Sequence, residues 1–114
     1  MGDEKIQAAL SMFVQRLSEV EDVEAVLLFG SRARGDAKTE SDIDVAVILK
    51  GNSAESDYWA TRDKLVDVAY EVMMQTNEYI SPVPIWSNQW TNPEEHTNPD
   101  LIGNIKNDGV KVKW

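Results

Sequence analysis

Two seven-residue apolar runs constrain this chain most: Val23-Glu24-Ala25-Val26-Leu27-Leu28-Phe29 and Ile43-Asp44-Val45-Ala46-Val47-Ile48-Leu49. Short, nearly continuous runs of this kind read as strands covered on both faces. Gly30 stops the first run. Asp44 interrupts the second, and a carboxylate inside an apolar strand lowers stability unless it is paired or bound to a cation. The runs are joined by about a dozen residues, too many for a tight hairpin. The fold must therefore bury both strands in a sheet and still leave Asp44 a polar outlet.

The surrounding pattern supplies the rest of a small domain. Ile6, Leu10, Phe13, Val14 and Leu17 recur at helical spacing, after Asp3 and Glu4 in a first turn that favours acids. A second helical pattern covers 54–75, with Trp59, Leu65, Val66, Ala69, Val72 and Met73 as its apolar side. The stretch 79–86 is extended, and Pro82 and Pro84 remove ladder donors, which places it at or near an edge. Asn98-Pro99 is a helix start with proline at the first helical position; that helix runs to Lys106 and ends at Asp108-Gly109. Val110-Lys111-Val112-Lys113 then closes the chain as a lysine-blunted edge strand. The expected class is α/β (α+β), a small mixed sheet of about four strands with helices packed on it. No repeat or linker divides residues 1–114, so one domain is expected.

Composition removes several function classes. The chain has no cysteine, which excludes disulfides, thiol catalysis and cysteine-ligated zinc. Its net charge of −9 repels phosphate backbones, so direct nucleic-acid binding is not expected. The opening MGDEKIQAALSMF lacks the basic start and apolar run of a signal peptide. Val23–Phe29 is the most membrane-like stretch, and it is short and contains Glu24. A cytoplasmic protein with no membrane segment is expected.

The chemistry concentrates between the two strands. At Gly30-Ser31 the glycine lets the backbone approach a ligand closely, and a helix starting at Ser31 would offer free amides and a hydroxyl to phosphate. Asp42 and Asp44 follow, two residues apart and therefore on one strand face. Two adjacent carboxylates repel unless a divalent cation lies between them, and Mg²⁺ favours carboxylates together with phosphate oxygens. A lone Asp-x-Asp is usually a solvated strand end. Facing a phosphate cradle, inside an apolar run, it suits nucleotidyl transfer.

On these residues the chain resembles the nucleotidyltransferase superfamily related to DNA polymerase β. Gly30-Ser31, ten intervening residues and Asp42-Ile43-Asp44 match its signature, and GSRARGDAKTESDIDVAV is similar to its minimal nucleotidyltransferase (MNT) branch. The segment Asn104-Ile105-Lys106-Asn107-Asp108-Gly109-Val110 resembles the closing turn of those proteins. The resemblance implies a nucleotidyltransferase fold in which Gly30 and Ser31 hold the terminal phosphates of a nucleoside triphosphate, ATP above all. It implies that Asp42 and Asp44 are catalytic and ligate Mg²⁺, with Arg32 neutralising phosphate charge or pairing with an acid. Members of this branch are commonly encoded beside a helical HEPN protein, toxin to their antitoxin, and some add AMP to it; a HEPN-type partner, in a homo- or hetero-oligomer, follows as the expectation.

One departure stands out. Active members bring a third carboxylate from a later strand, and 79–86 contains no acid; Ser81 lies near the expected position. Loss of a positioned base lowers a rate by about 10² to 10⁴. The alternative is therefore a module that binds nucleotide and partner and neutralises the partner sterically. Asp67 and Glu71 belong to a solvated helix face, Arg34 and Lys38 to loop surface. His96, the only histidine, lacks a second soft ligand. Trp90 and Trp114 are the tryptophans expected at a partner surface.

Overall fold

The computed structural model describes residues 2–30 and 42–112. Helix α1 (Gly2–Leu17) leads into strand β1 (Val23–Phe29), and β2 (Ile43–Leu49) is followed by a 3-10 turn (Ser53–Glu55) and helix α2 (Tyr58–Thr76). Strand β3 (Ile80–Trp86) runs into short helix α3 (Ser87–Thr91) and a second 3-10 turn (Pro93–Glu95). Helix α4 (Pro99–Asp108) and strand β4 (Val110–Lys111) complete it.

Local signals set the boundaries. Asp57 caps α2 by accepting from the Ala60 N–H at 3.1 Å, and Asn77 ends the helix in the left-handed region at φ 63°. Asn98 caps α4 through the Leu101 N–H at 3.2 Å, with Pro99 in the first turn as its sequence implies. The expected helix 54–75 is shorter at its start because Asn52 and Asp57 each cap a separate element.

The strands form one mixed sheet in the order β3-β2-β1-β4, with β2 parallel to β3 and the other pairs antiparallel. Strand β3 is an edge, as its prolines imply. The Ile43 N–H donates to the Tyr79 carbonyl at 2.9 Å, so Tyr79, Ser81, Val83 and Ile85 turn their backbone groups toward β2. Pro82 and Pro84 occupy the outward positions, where a missing N–H leaves the ladder intact.

Each face of the sheet carries its own core. On one, Leu10, Phe13 and Leu17 of α1 and Leu65 and Val72 of α2 bury Ile43, Val45, Val47 and Ile80. On the other, Ile102 and Ile105 of α4 cover Ala46, Ile48 and Ile85, with Ala25, Leu27, Phe29 and Val83 half-buried around them. A fully buried side chain of this size stabilises the fold by about 1.5–3 kcal/mol.

The structure corrects several of these expectations. Strand β1 is less enclosed than its composition implies, with only Val26 buried, because its outer neighbour β4 is two residues long. Beyond β4 the chain is held by the Val112 N–H on the Val26 carbonyl at 2.8 Å, and Lys113 and Trp114 lie outside the described residues. Trp59 is not on the packed side of α2 but is 68% exposed. Trp90 packs half-buried against the α4 cluster, with Lys106 Nζ 5.0 Å from its ring centroid. No helix among the described residues is long and apolar enough to cross a membrane.

Candidate active site

The sheet register aligns three rows across β1, β2 and β3: Ala25–Ile48–Ile85, Leu27–Ala46–Val83 and Phe29–Asp44–Ser81. Alternation along each strand puts all of these on the α4 face. Two rows are apolar. The third carries Asp44 and Ser81, both half-buried, at the end of the sheet where β1 gives way to Gly30.

Gly30 has a φ of +76°, and a Cβ built there would stand 2.6 Å from Asp44 Oδ2. A side chain would strain the backbone and strike the carboxylate. Glycine instead lets the main chain close over Asp44. Asp42, exposed and just ahead of β2, lies two residues earlier, roughly 6.5–7 Å away if the chain is extended there, near enough for its charge to act on Asp44. Burial, and then the charge of Asp42, push the Asp44 carboxyl above its ordinary value of 3.8.

This environment fits a hard divalent cation. It would relieve both causes of the raised pKa, and carboxylate oxygens are the donors Mg²⁺ accepts. Among the described residues no cluster of three or more His, Cys, Asp or Glu could hold a metal. The pair alone would leave most of an octahedral shell to water and ligand oxygens, the usual arrangement for Mg²⁺ on a polyphosphate.

The structure thus brings Gly30, Asp42 and Asp44 together. Ser31 and Arg32 lie outside the described residues, as do Arg34 and Lys38. Ser81 takes the register position directly beside Asp44, about 4.8 Å away across one strand spacing. Val83 is one row further in, beside Ala46, and Ile80 is buried on the opposite face. No acid stands in β3.

A second feature was not foreseen. A groove of about 630 Å³ follows the β3 edge, lined by Tyr58, Trp59, Val83, Trp86, His96 and Leu101 among others. Trp59 carries a signal in the sequence. Trp59 is nine residues before Val68, about 180° around the helix from a core position. His96 is half-buried, and its Nδ1 accepts from the Asn98 N–H at 2.9 Å.

With this geometry in hand, comparison with known proteins is consistent throughout. Residues 13–112 match the family model described as polymerase beta, nucleotidyltransferase. A Methanocaldococcus jannaschii protein described as a "putative protein adenylyltransferase" is 33% identical over 90 residues, covering 79% of each chain. The crystal structure of a "putative nucleotidyltransferase" from Sulfolobus solfataricus aligns with a TM-score of 0.50 at 19% identity, covering 94% of this chain and 84% of the other. A crystal structure of a toxin–antitoxin with AMP-PNP aligns with a TM-score of 0.61 at 17% identity, covering 94% of this chain and 72% of that one. At such identities the two structures speak for the fold. The chain belongs to the polymerase beta-like nucleotidyltransferase family, and its mixed sheet with packed helices is the nucleotidyltransferase fold.

Proposed function

We propose that this protein transfers AMP from Mg²⁺-ATP to a hydroxyl on a partner protein, as the antitoxin of a toxin–antitoxin pair whose toxin is a helical HEPN-type protein. The observation that carries the reading is the closure of Gly30 over Asp44, with Asp42 beside it, at the end of an otherwise apolar sheet face. The adenylyltransferase relative and the toxin–antitoxin neighbour support the acceptor and the pairing. We read residues 1–114 as one nucleotidyltransferase domain working in the cytoplasm, where ATP and Mg²⁺ are abundant.

In this reading Asp42 and Asp44 hold Mg²⁺, which supplies charge neutralisation and orientation of the α-phosphate. Gly30, Ser31 and Arg32 bind the terminal phosphates. The acceptor oxygen attacks the α-phosphorus as the bond to pyrophosphate breaks, and the hydroxyl proton leaves to solvent or to Asp44. Ser81 stands where a dedicated base would act, and serine is a poor base at neutral pH.

That serine favours a second reading, a module that binds nucleotide and neutralises its partner sterically. Incubation with α-labelled ATP, Mg²⁺ and the co-encoded helical protein separates the two. Label on the partner, lost in Asp44→Asn, supports transfer. Neutralisation of the partner without label supports the steric module.

A further inference from the structure

The geometry points to the aromatic groove along β3 as the docking site for the acceptor, a segment of polypeptide with apolar anchors flanked by lysine or arginine. This rests on the transferase reading above, because it assigns that reaction its acceptor side. The sheet order carries the first step. Phosphates belong at the end of β1 with Gly30, the metal pair belongs to β2, and across the sheet from Phe29 the strand partner of Asp44 is Ser81 on β3. An acceptor hydroxyl must therefore arrive over β3. The groove begins one row further in, at Val83, and continues along that same edge strand.

Its lining suits side chains and not a pairing strand. Pro82 and Pro84 remove the outward donors, so an incoming strand cannot extend the sheet there. The groove instead presents aromatic surface. Trp86 lies under Tyr58 with ring centroids 6.3 Å apart, Tyr58 meets Trp59 edge-on at 5.0 Å, and Arg62 stands 5.9 Å from the Trp59 ring. Trp59 at 68% and Tyr58 at 43% exposure offer the rings that anchor a partner.

Charge then selects the occupant. The segments 53–59 and 83–101, which supply the lining, carry Glu55, Asp57, Glu94, Glu95 and Asp100, and no lysine or arginine. All five acids are exposed. Five acids that adjoin lining residues in the chain, against the single Arg62 beside Trp59, give this edge a negative balance that repels a polyphosphate and attracts a basic peptide.

The test uses the whole protein and three fluorescent peptides of equal length. One combines Lys and Arg with Trp and Leu anchors, the second replaces the anchors by Ala, and the third replaces the bases by Glu. The first peptide should bind saturably, and the other two at least about tenfold more weakly. Trp59→Ala, at an exposed position, should weaken the first peptide by at least about tenfold, as an anchor does. The double variant Glu94→Lys, Glu95→Lys should narrow the gap between the first and third peptides. Equal binding of the first peptide to wild type and Trp59→Ala, or no saturable binding below about 1 mM, overturns the assignment. So does a loss of Mg²⁺-ATP affinity in Trp59→Ala, which would mark a nucleoside pocket. Transfer assays separate the two ideas: transfer to the helical partner undiminished by Trp59→Ala removes the docking site and keeps the transferase. Peptide binding that needs Trp59, with no transfer to any protein, does the reverse.

Discussion

The two faces of the sheet differ by one row. Against α1 and α2 the apolar positions continue through Ile43, Val45, Val47 and Leu49, and helices close over all of them. Against α4 the same strand offers Ala46 and Ile48, and the next position outward is Asp44. Period-two alternation lets one strand serve both purposes, since a polar residue on one face leaves the other undisturbed. The site is therefore a row withheld from the second core and backed by the first. That separation predicts that stability and ligand chemistry can be altered independently.

The largest effect is expected on the closed face. Phe13→Ala removes a fully buried ring and should lower stability by about 3–5 kcal/mol, measured by denaturant unfolding. Mg²⁺-ATP affinity of the fraction that remains folded should be unchanged. A parallel loss of intrinsic affinity would mean the two faces are coupled, and the comparison would fail.

Gly30→Ala comes next, at the junction of strand and site. The left-handed backbone costs an alanine about 1–2 kcal/mol, and its methyl would also displace the Asp44 carboxylate. Both stability and Mg²⁺-ATP affinity should fall. A loss of stability alone would show that Asp44 need not be held where Gly30 leaves it.

Asp44→Asn should separate the two quantities in opposite directions. Calorimetric titration should show Mg²⁺-ATP binding weakened by at least about tenfold, or 1.4 kcal/mol. The metal-free Tm should rise at neutral pH. Burial and Asp42 raise the Asp44 pKa, so the folded state holds this proton more tightly than the unfolded state does. Ionisation of Asp44 thus opposes folding above its raised pKa, and the penalty disappears below 3.8, where both states are protonated. The Tm advantage of Asn over Asp should shrink as pH falls through that window. A constant advantage would mean it comes from packing.

Much of this site is legible in the sequence because it breaks local rules. Asp44 in an apolar run and Gly30 at a strand end each conflict with their neighbours, and such conflicts mark function. Asn98-Pro99 is equally legible, since a cap acts through adjacent residues. The aromatic groove is not, because Tyr58, Val83 and Leu101 come from three elements and meet only in the fold. Helix α3 is also hidden, since Ser87–Thr91 is too short to show a period. The partial cover of Trp90 is hidden for a related reason, since it comes from α4.

The smallest expected effect concerns the neighbour of Asp44. The register makes Ser81 the position in β3 whose side chain shares its face and row, whereas Ile80 lies in the opposite core and Val83 opposes Ala46. Ser81→Asp would place a third carboxylate about one strand spacing from Asp44. In the metal-free protein that charge adds repulsion, so the Tm should fall slightly; with Mg²⁺ bound, the cation offsets it. A well-positioned base is worth about 10² to 10⁴ in rate, and an introduced carboxylate that is not held in a base's orientation recovers only a small part of that. We expect AMP transfer to the helical partner to rise only a few-fold, a barrier change under about 1 kcal/mol. Val83→Asp, on the same face but one row inside the α4 core, should destabilise the protein without that gain. Equal gains from both variants would show that added negative charge, and not proximity to Asp44, governs the rate.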